Sequence, residues 1–202
     1  MGSQSSRVGR ERILESAEQL FTEHGYQMVS IRQIADACGV TNAALYYHFD
    51  NKKALFLEVI KQHAARLGVR MRKAGEQGGS YQERITTMAQ EYMKLMSNRR
   101  SLFHLLRHQR KDFQKEKPPK HFINIFNTAL GPIEEVLQEA IEAGELRILP
   151  ENYFGTSVLL SMLHGVGRYR SIRCQTDLAE EDICLIVDIF WNGMREERVN
   201  RI

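Results

Sequence analysis

An all-α protein is predicted by two features of the 202-residue chain. Apolar residues return at three- and four-residue intervals almost throughout, and no stretch alternates with period two over more than a few positions. The breaks in that rhythm carry glycines and prolines where helices would end.

The elements follow in order. Ile13, Ala17, Leu20 and Phe21 form one stripe of a helix from about Arg10 to His24, and Gly25 stops it. Ser30-Ile31-Arg32-Gln33 reads as a capping box, with Ser30 accepting from the backbone at position 33 while Gln33 reaches back. It opens a short helix at about 31–38 that Gly39 closes. Thr41 caps a third helix, which must end near Phe49 because Asp50-Asn51 offers a new cap before Lys52. Longer helices are expected at about 52–74, ended by Gly75, Gly78 and Gly79, and at about 81–97. A basic helix at about 99–114 runs up to Pro118-Pro119. Three more are expected at about 120–143, stopped by Gly144, at about 151–171 after Pro150, and at about 178–197, capped by Asp177 or a neighbour. No internal repeat or low-complexity tract is evident, and the hinge between units should lie within the 52–74 helix, since no linker separates them.

The net charge of +3 does not announce a nucleic-acid binder, but its distribution is uneven. Residues 1–75 carry 11 basic and 7 acidic side chains, 76–98 carry 2 and 3, 99–120 carry 8 and 2, and 121–202 carry 7 and 13. A basic N-terminal unit and an acidic C-terminal one are the natural division. Cys38, Cys174 and Cys184 are odd in number and form no CxxC pair, which argues against a disulfide framework or a cysteine zinc site and for a reducing cytoplasm. The small polar N-terminus has no apolar segment of a secretory signal behind it. The longest apolar stretch, Val158 to Val166, is far short of the roughly 20 residues of a membrane span. A soluble cytoplasmic protein with no membrane contact is expected.

Two short helices joined by Gly39-Val40-Thr41 have the form of a helix-turn-helix. At 100° per residue, Leu45 and Phe49 fall on one side of the second helix, with Ala43, Tyr46 and Tyr47 on the other. Arg32, His48 and Lys52 lie where phosphates would pass on either side of a groove, and Thr41 adds a hydroxyl at the helix start. A short helix pair with a glycine turn also occurs in ordinary bundles, where tyrosines pack against the core. Here Tyr46 and Tyr47 are adjacent and cannot both point inward beside Leu45 and Phe49, so at least one needs an external partner.

The run Ile31-Arg32-Gln33-Ile34-Ala35-Asp36-Ala37-Cys38-Gly39-Val40-Thr41, then Ala44-Leu45-Tyr46-Tyr47-His48-Phe49 and Lys52-Lys53-Ala54-Leu55, resembles the N-terminal domain of TetR-type transcriptional regulators. The likeness spans about residues 10–60; beyond them only helix number and length agree. It implies a homodimer of nine helices per subunit, usually a repressor, that a small effector releases from a palindromic double-stranded DNA operator. By position, Ser30, Arg32, Thr41, Tyr47, His48 and Lys52 resemble contacts to the DNA backbone, and Asn42, Ala43 and Tyr46 resemble groove readers. The organisation implied is a helix-turn-helix DNA-binding domain at 7–53 and a ligand-binding and dimerisation domain at 54–202.

Two stripes near the C-terminus are candidates for the dimer interface: Phe154, Val158, Ser161, Met162, Gly165 and Tyr169, and Ile183, Ile186, Val187, Phe190 and Met194. The resemblance implies a four-helix dimer contact there, while periodicity alone equally allows both stripes to face their own subunit's core. Met88, Tyr92, Met93, Met96, Phe103, Phe122 and Phe126, with Tyr92, His104 and Arg107 as polar groups, are candidates to line an effector cavity or to be ordinary core. The basic run 99–120 suits an anionic or acyl effector, acting between the 52–74 and 151–171 helices. His104 and His108 are four apart, but without HExxH and beside Arg107, Arg110 and Lys111 they make a poor metal site. No cofactor is expected. GxSxG, P-loop and GxGxxG motifs are absent, and Gly165-Val166-Gly167 falls in a helical pattern, so an enzyme is not expected. The alternative from another class is a helical adaptor that never touches DNA, against which the exposed tyrosines and Lys52 speak.

Overall fold

The computed structural model describes residues 2–97, 120–173 and 178–195, with side chains from residue 9 onward except 97 and 120–122. Eight helices are present among the described residues: α1 (Gly2–His24), α2 (Ile31–Cys38), α3 (Asn42–His48), α4 (Lys52–Gly75), α5 (Tyr81–Ser97), α6 (Lys120–Glu142), α7 (Phe154–Ile172) and α8 (Glu180–Met194). The count is therefore eight where nine were expected, because the expected 99–114 helix lies outside the described residues. No described helix is long and apolar enough to cross a membrane.

The chain divides into two compact units within α4. The first comprises residues up to 65 with 120–125, and the second residues 66–97, 126–173 and 178–195. In the first unit α1 packs on α2 and α2 on α3. Ile13, Leu14, Ala17 and Phe21 of α1 are buried with Ile34, Ala35, Leu45, Phe49, Leu55, Phe56, Val59 and Ile60. Leu14 takes the inward position expected of Leu20, which is only half-buried, because the packed face of α1 is turned toward its 14–17–21 edge. Helix α1 also starts at Gly2 rather than near Arg10, as no proline interrupts its first turns.

In the second unit α8 packs chiefly on α5 and then on α7. Gln82 donates to Asp188 at 3.2 Å and Lys94 lies 3.4 Å from Glu180, joining α5 to α8, and Arg170 of α7 reaches Asp182 at 2.5 Å. Helices α4 and α6 cross closely enough at Gly68 that a Cβ there would stand 2.3 Å from the Thr128 carbonyl oxygen. The same crossing is clamped by ion pairs: Arg72 with Glu135, and, from α5, Arg84 with Glu139 at 2.6 Å. Arg84 also donates to the Gly75 carbonyl at 2.9 Å, satisfying the C-terminal end of α4.

Helix α7 starts at Phe154, later than 151, because Tyr153 adopts a left-handed backbone conformation with φ 63°. The Glu134 carboxylate holds that turn, accepting from the Tyr153 amide and the Thr156 hydroxyl, both at 2.7 Å. Helix α8 is capped by Asp182, which accepts the Ala179 amide at 2.9 Å; Asp177, the expected cap, lies outside the described residues. The helix ends at Met194, short of 197, where Leu146 and Arg195 form an antiparallel bridge.

Candidate nucleic-acid interface

Two caps orient the helix pair. The Ser30 hydroxyl accepts the Gln33 amide at 3.2 Å while the Gln33 carboxamide accepts the Ser30 amide at 2.8 Å, completing the capping box. Gly39 (φ 68°) ends α2 in the left-handed region, and Arg12 of α1 donates to the Cys38 carbonyl at 3.0 Å. The Thr41 hydroxyl accepts the Ala44 amide at 3.1 Å and starts α3. Cys38 sits inside the pair, its thiol 3.0 Å from the Ile34 carbonyl and pushed above its ordinary pKa by burial.

With α3 so fixed, Leu45 enters the core and Phe49 follows it just past the helix end. Thr41, Asn42 and Ala43 are exposed, Tyr46 is 52% and Tyr47 81% exposed, and His48 is half-buried with its ring 5.1 Å from that of Tyr47. Both tyrosines therefore face outward. An aromatic body with a hydroxyl at its tip suits a polar partner with stacked or sugar surfaces better than plain water. Arg32 is exposed one turn from Asp36, at 3.9 Å, and Ser30 is exposed at the start of α2.

Lys52 begins α4 beside this face, where Asn51 caps the helix by accepting the Ala54 amide at 2.8 Å. Its ammonium lies 4.4 Å from the centroid of the Tyr26 ring and 3.5 Å from the Gln27 carbonyl, and burial lowers its pKa. Arg10 stacks 5.2 Å from the centre of the Phe49 ring and pairs with Glu58 at 3.0 Å. The contact of Tyr26 with Lys52 and those of Arg10 with Phe49 and Glu58 are not legible in the sequence because these partners are 26, 39 and 48 positions away. Arg10's place on α1 carries no local signal, whereas the aromatic directly after Gly25 is the one hint for Tyr26.

The other candidates fare differently. Met88 and Tyr92 are buried in the second unit, Tyr92 donating or accepting at 3.0 Å with His164, a residue that nothing in the sequence pattern singles out. Met96 is half-buried, and Phe126 is exposed with its ring 6.0 Å from that of Tyr153. Phe103, His104 and Arg107 lie outside the described residues, as does the side chain of Phe122. Cys174 and His108 lie outside as well. A surface cleft of about 600 Å³ is lined by Gly131, Glu134, Glu135, Gln138, Glu139, Glu142, Asn152 and Tyr153, none of them an expected effector residue. Its carboxylates repel an anion, and Glu134, Glu135 and Glu139 are already engaged by Tyr153 and Thr156, Arg72 and Arg84. No group of three or more potential metal ligands occurs among the described residues.

The dimer stripes need one correction. Phe154, Ser161, Gly165 and Tyr169 are exposed and Val158 and Met162 half-buried, but Ile183, Val187 and Phe190 are buried inside the subunit, and Met194 is half-buried. Ile183, Val187 and Phe190 are therefore core of their own subunit, the Phe190 ring lying toward α7, 3.8 Å from where a Cβ on Gly155 would stand. The side chains α8 leaves outside are Leu185, 59% exposed, and Ile189, 54% exposed.

These features define a helix-turn-helix protein of all-α build. Residues 13–59 match the model of the bacterial regulatory proteins of the tetR family. The chain is 40% identical over 58 residues to the HTH-type transcriptional repressor AcnR of Corynebacterium efficiens, covering 29% of this chain and 31% of that protein. It is 36% identical over 64 residues to the HTH-type transcriptional regulator UidR of Escherichia coli K12, covering 32% and 33%. The matched stretches thus span about a third of these relatives. Across nearly the whole chain the fold is similar to a putative TetR-family transcriptional regulator of Mesorhizobium loti, with a TM-score of 0.75 at 17% identity over 95% of this chain and 98% of the other. The reduced form of Escherichia coli NemR gives 0.69 at 19% identity over 95% and 100%. The sequence likeness to the tetR family is thus confined to the helix-turn-helix at residues 13–59, and the whole-chain likeness is one of fold.

Proposed function

We propose that this protein is a cytoplasmic DNA-binding transcriptional regulator, a homodimeric repressor that a small effector releases from an inverted-repeat operator, and not an enzyme. The observation that carries the reading is the outward face of α3, where Asn42, Ala43, Tyr46 and Tyr47 stand exposed on a helix that the Thr41 cap starts and Leu45 anchors in the core. Asn42, Ala43 and Tyr46 reach base edges in the major groove, while Ser30, Arg32, Thr41, Tyr47, His48 and Lys52 hold phosphates and sugars. Backbone contacts fix register, and groove contacts choose sequence.

Dimerisation uses the exposed stripe of α7, from Phe154 through Val158, Ser161, Met162 and Gly165 to Tyr169, joined by Leu185 and Ile189 of α8. A Cβ at Gly165 would meet nothing within 4 Å in the subunit, leaving room for a partner helix to approach. An obligate contact of this kind buries on the order of 2,000 Å² or more.

The effector is small and largely apolar, its anionic or acyl variant being the one that the basic run 99–120 suits, and binds in the second unit near Met88, Tyr92, Met96 and Phe126. Helix α4 carries the signal, since it runs unbroken from Lys52 to Gly75. Shifting its far end changes the spacing of the two recognition helices in the dimer. A hundredfold loss of DNA affinity requires the effector to prefer the released state by about 2.7 kcal/mol, and DNA must weaken effector binding by the same factor.

Selection from a random duplex library tests the reading. An inverted repeat with half-sites about one helical turn or somewhat more apart is the expected result. Recovery of no repeat, or no binding at all, would remove it in favour of a helical adaptor.

A further inference from the structure

We propose that Tyr26 is a positioning residue for phosphate binding: its ring holds the Lys52 ammonium, together with the Gln27 carbonyl, in the pose in which it meets the DNA backbone. This role rests on the DNA-binding reading above.

The geometry starts at Gly25. Its left-handed backbone (φ 81°) ends α1, with its amide donating to the Phe21 carbonyl at 2.9 Å, and turns the chain so that the next residue folds back on the helices. The Tyr26 ring lands on two buried aromatics, 5.7 Å from Phe21 and 4.6 Å from Phe56, which are themselves edge to face at 5.2 Å. A ring so wedged cannot swing away. Tyr26 is nevertheless only half-buried, and the Lys52 ammonium lies over it at 4.4 Å from the centroid.

Lysine is a poor phosphate ligand when loose, because four rotatable bonds must be frozen at the moment of binding. Here that ordering is done in the free protein. An ammonium has three donors, and Gln27 engages one, at 3.5 Å. The long distance and the ring face compensate only part of the water that the charge has given up, as its lowered pKa shows. A phosphate oxygen is a stronger partner than either and completes the shell. Gln27 and the exposed Met28 lie in the segment that leads to Ser30, the cap of α2, so the same turn presents both candidate phosphate contacts.

Affinity of the full-length protein for the selected duplex and for an unrelated duplex is measured across a potassium chloride series. Tyr26→Phe keeps the ring and should bind as the wild type does. Tyr26→Leu keeps apolar bulk without a π face and should bind both duplexes about two- to fivefold more weakly. Lys52→Ala should lower the salt slope by about one. In the Lys52→Ala background, Tyr26→Leu should have no further effect. If Tyr26→Leu binds like wild type, or weakens binding equally with and without Lys52, the ring serves the fold alone and the proposal is overturned while DNA binding stands. Should Tyr26→Leu fail to fold, pentafluorophenylalanine at position 26 keeps the shape and inverts the ring's charge distribution: a loss confined to proteins with Lys52 supports the role, and no loss overturns it. A wild-type protein that binds neither duplex would instead remove the DNA-binding reading on which the role depends.

Discussion

Helices α3 and α8 both leave large side chains uncovered, but of different chemistry. On α3 the uncovered residues are Tyr46 and Tyr47 beside Asn42 and Thr41, each with a hydroxyl or amide to offer. On α8 they are Leu185 and Ile189, which offer none. A face with aromatic area and polar tips suits a wet, charged partner such as DNA, while an aliphatic patch such as Leu185 and Ile189, flanked by the exposed Glu181 and Asn192, suits another aliphatic patch with a polar rim. The difference extends inward: α3 buries Leu45 alone of its seven residues, whereas α8 buries Ile183, Ile186, Val187, Phe190 and Trp191. Helix α3 is displayed by its Thr41 cap and the burial of Leu45; α8 is a pillar of its unit.

That contrast can be broken most forcefully at Phe190. Aspartate there places an unpartnered charge in the core between α8 and its neighbours, and should cost at least about 3–5 kcal/mol of stability, visible as a fall in the urea midpoint. Leu185→Asp with Ile189→Asp should leave the subunit folded and yield monomers in sedimentation. Equal unfolding by both changes would erase the distinction between core and outer face on α8.

Gly68→Val comes next. A Cβ at that crossing meets the Thr128 backbone, which cannot rotate away as a side chain would, so a loss at the upper end of roughly 1–3 kcal/mol is expected in thermal or urea unfolding. A neutral result would mean that α4 and α6 separate at little cost. Thr41→Ala removes the α3 cap and should cost about 1 kcal/mol while leaving the second unit's amide exchange unchanged.

The smallest effect is in pH. Burial alone raises the Glu58 pKa, but hydrogen bonds and charge from Arg10 and Lys61 outweigh it and leave the carboxyl below its ordinary range. The unfolded chain then binds the proton more readily than the folded one. Glu58 therefore adds stability above its unfolded pKa, and that stability is lost as pH falls through the folded value. In urea titrations between neutral pH and pH 3, Glu58→Gln should show a shallower acid loss than the wild type, and parallel curves would show the Arg10 pair to be idle.

Much of the first unit could be read from residues because its determinants are local. Ser30 with Gln33, Gly39 and Thr41 act within four positions, so cap and helix face follow from adjacent letters. The second unit is governed by contacts far apart in the chain. The stripe Ile183–Val187–Phe190 is the packed face of α8, yet periodicity names no partner, and these side chains are buried within their own subunit. Leu14 in place of Leu20, the strained Tyr153 turn and the hold of Tyr26 on Lys52 are long-range outcomes of the same kind.

The most direct measurement concerns Tyr46: the ratio of affinities for the selected duplex and for the same duplex with one base pair changed in each half-site. For the wild type each changed pair should cost about 1–3 kcal/mol. Tyr46→Ala should bring the ratio at the contacted position close to one while its binding to unrelated DNA stays near the wild-type level. An undiminished ratio in Tyr46→Ala, with binding weakened uniformly instead, would contradict the assignment of the outer face of α3 as the surface that reads sequence.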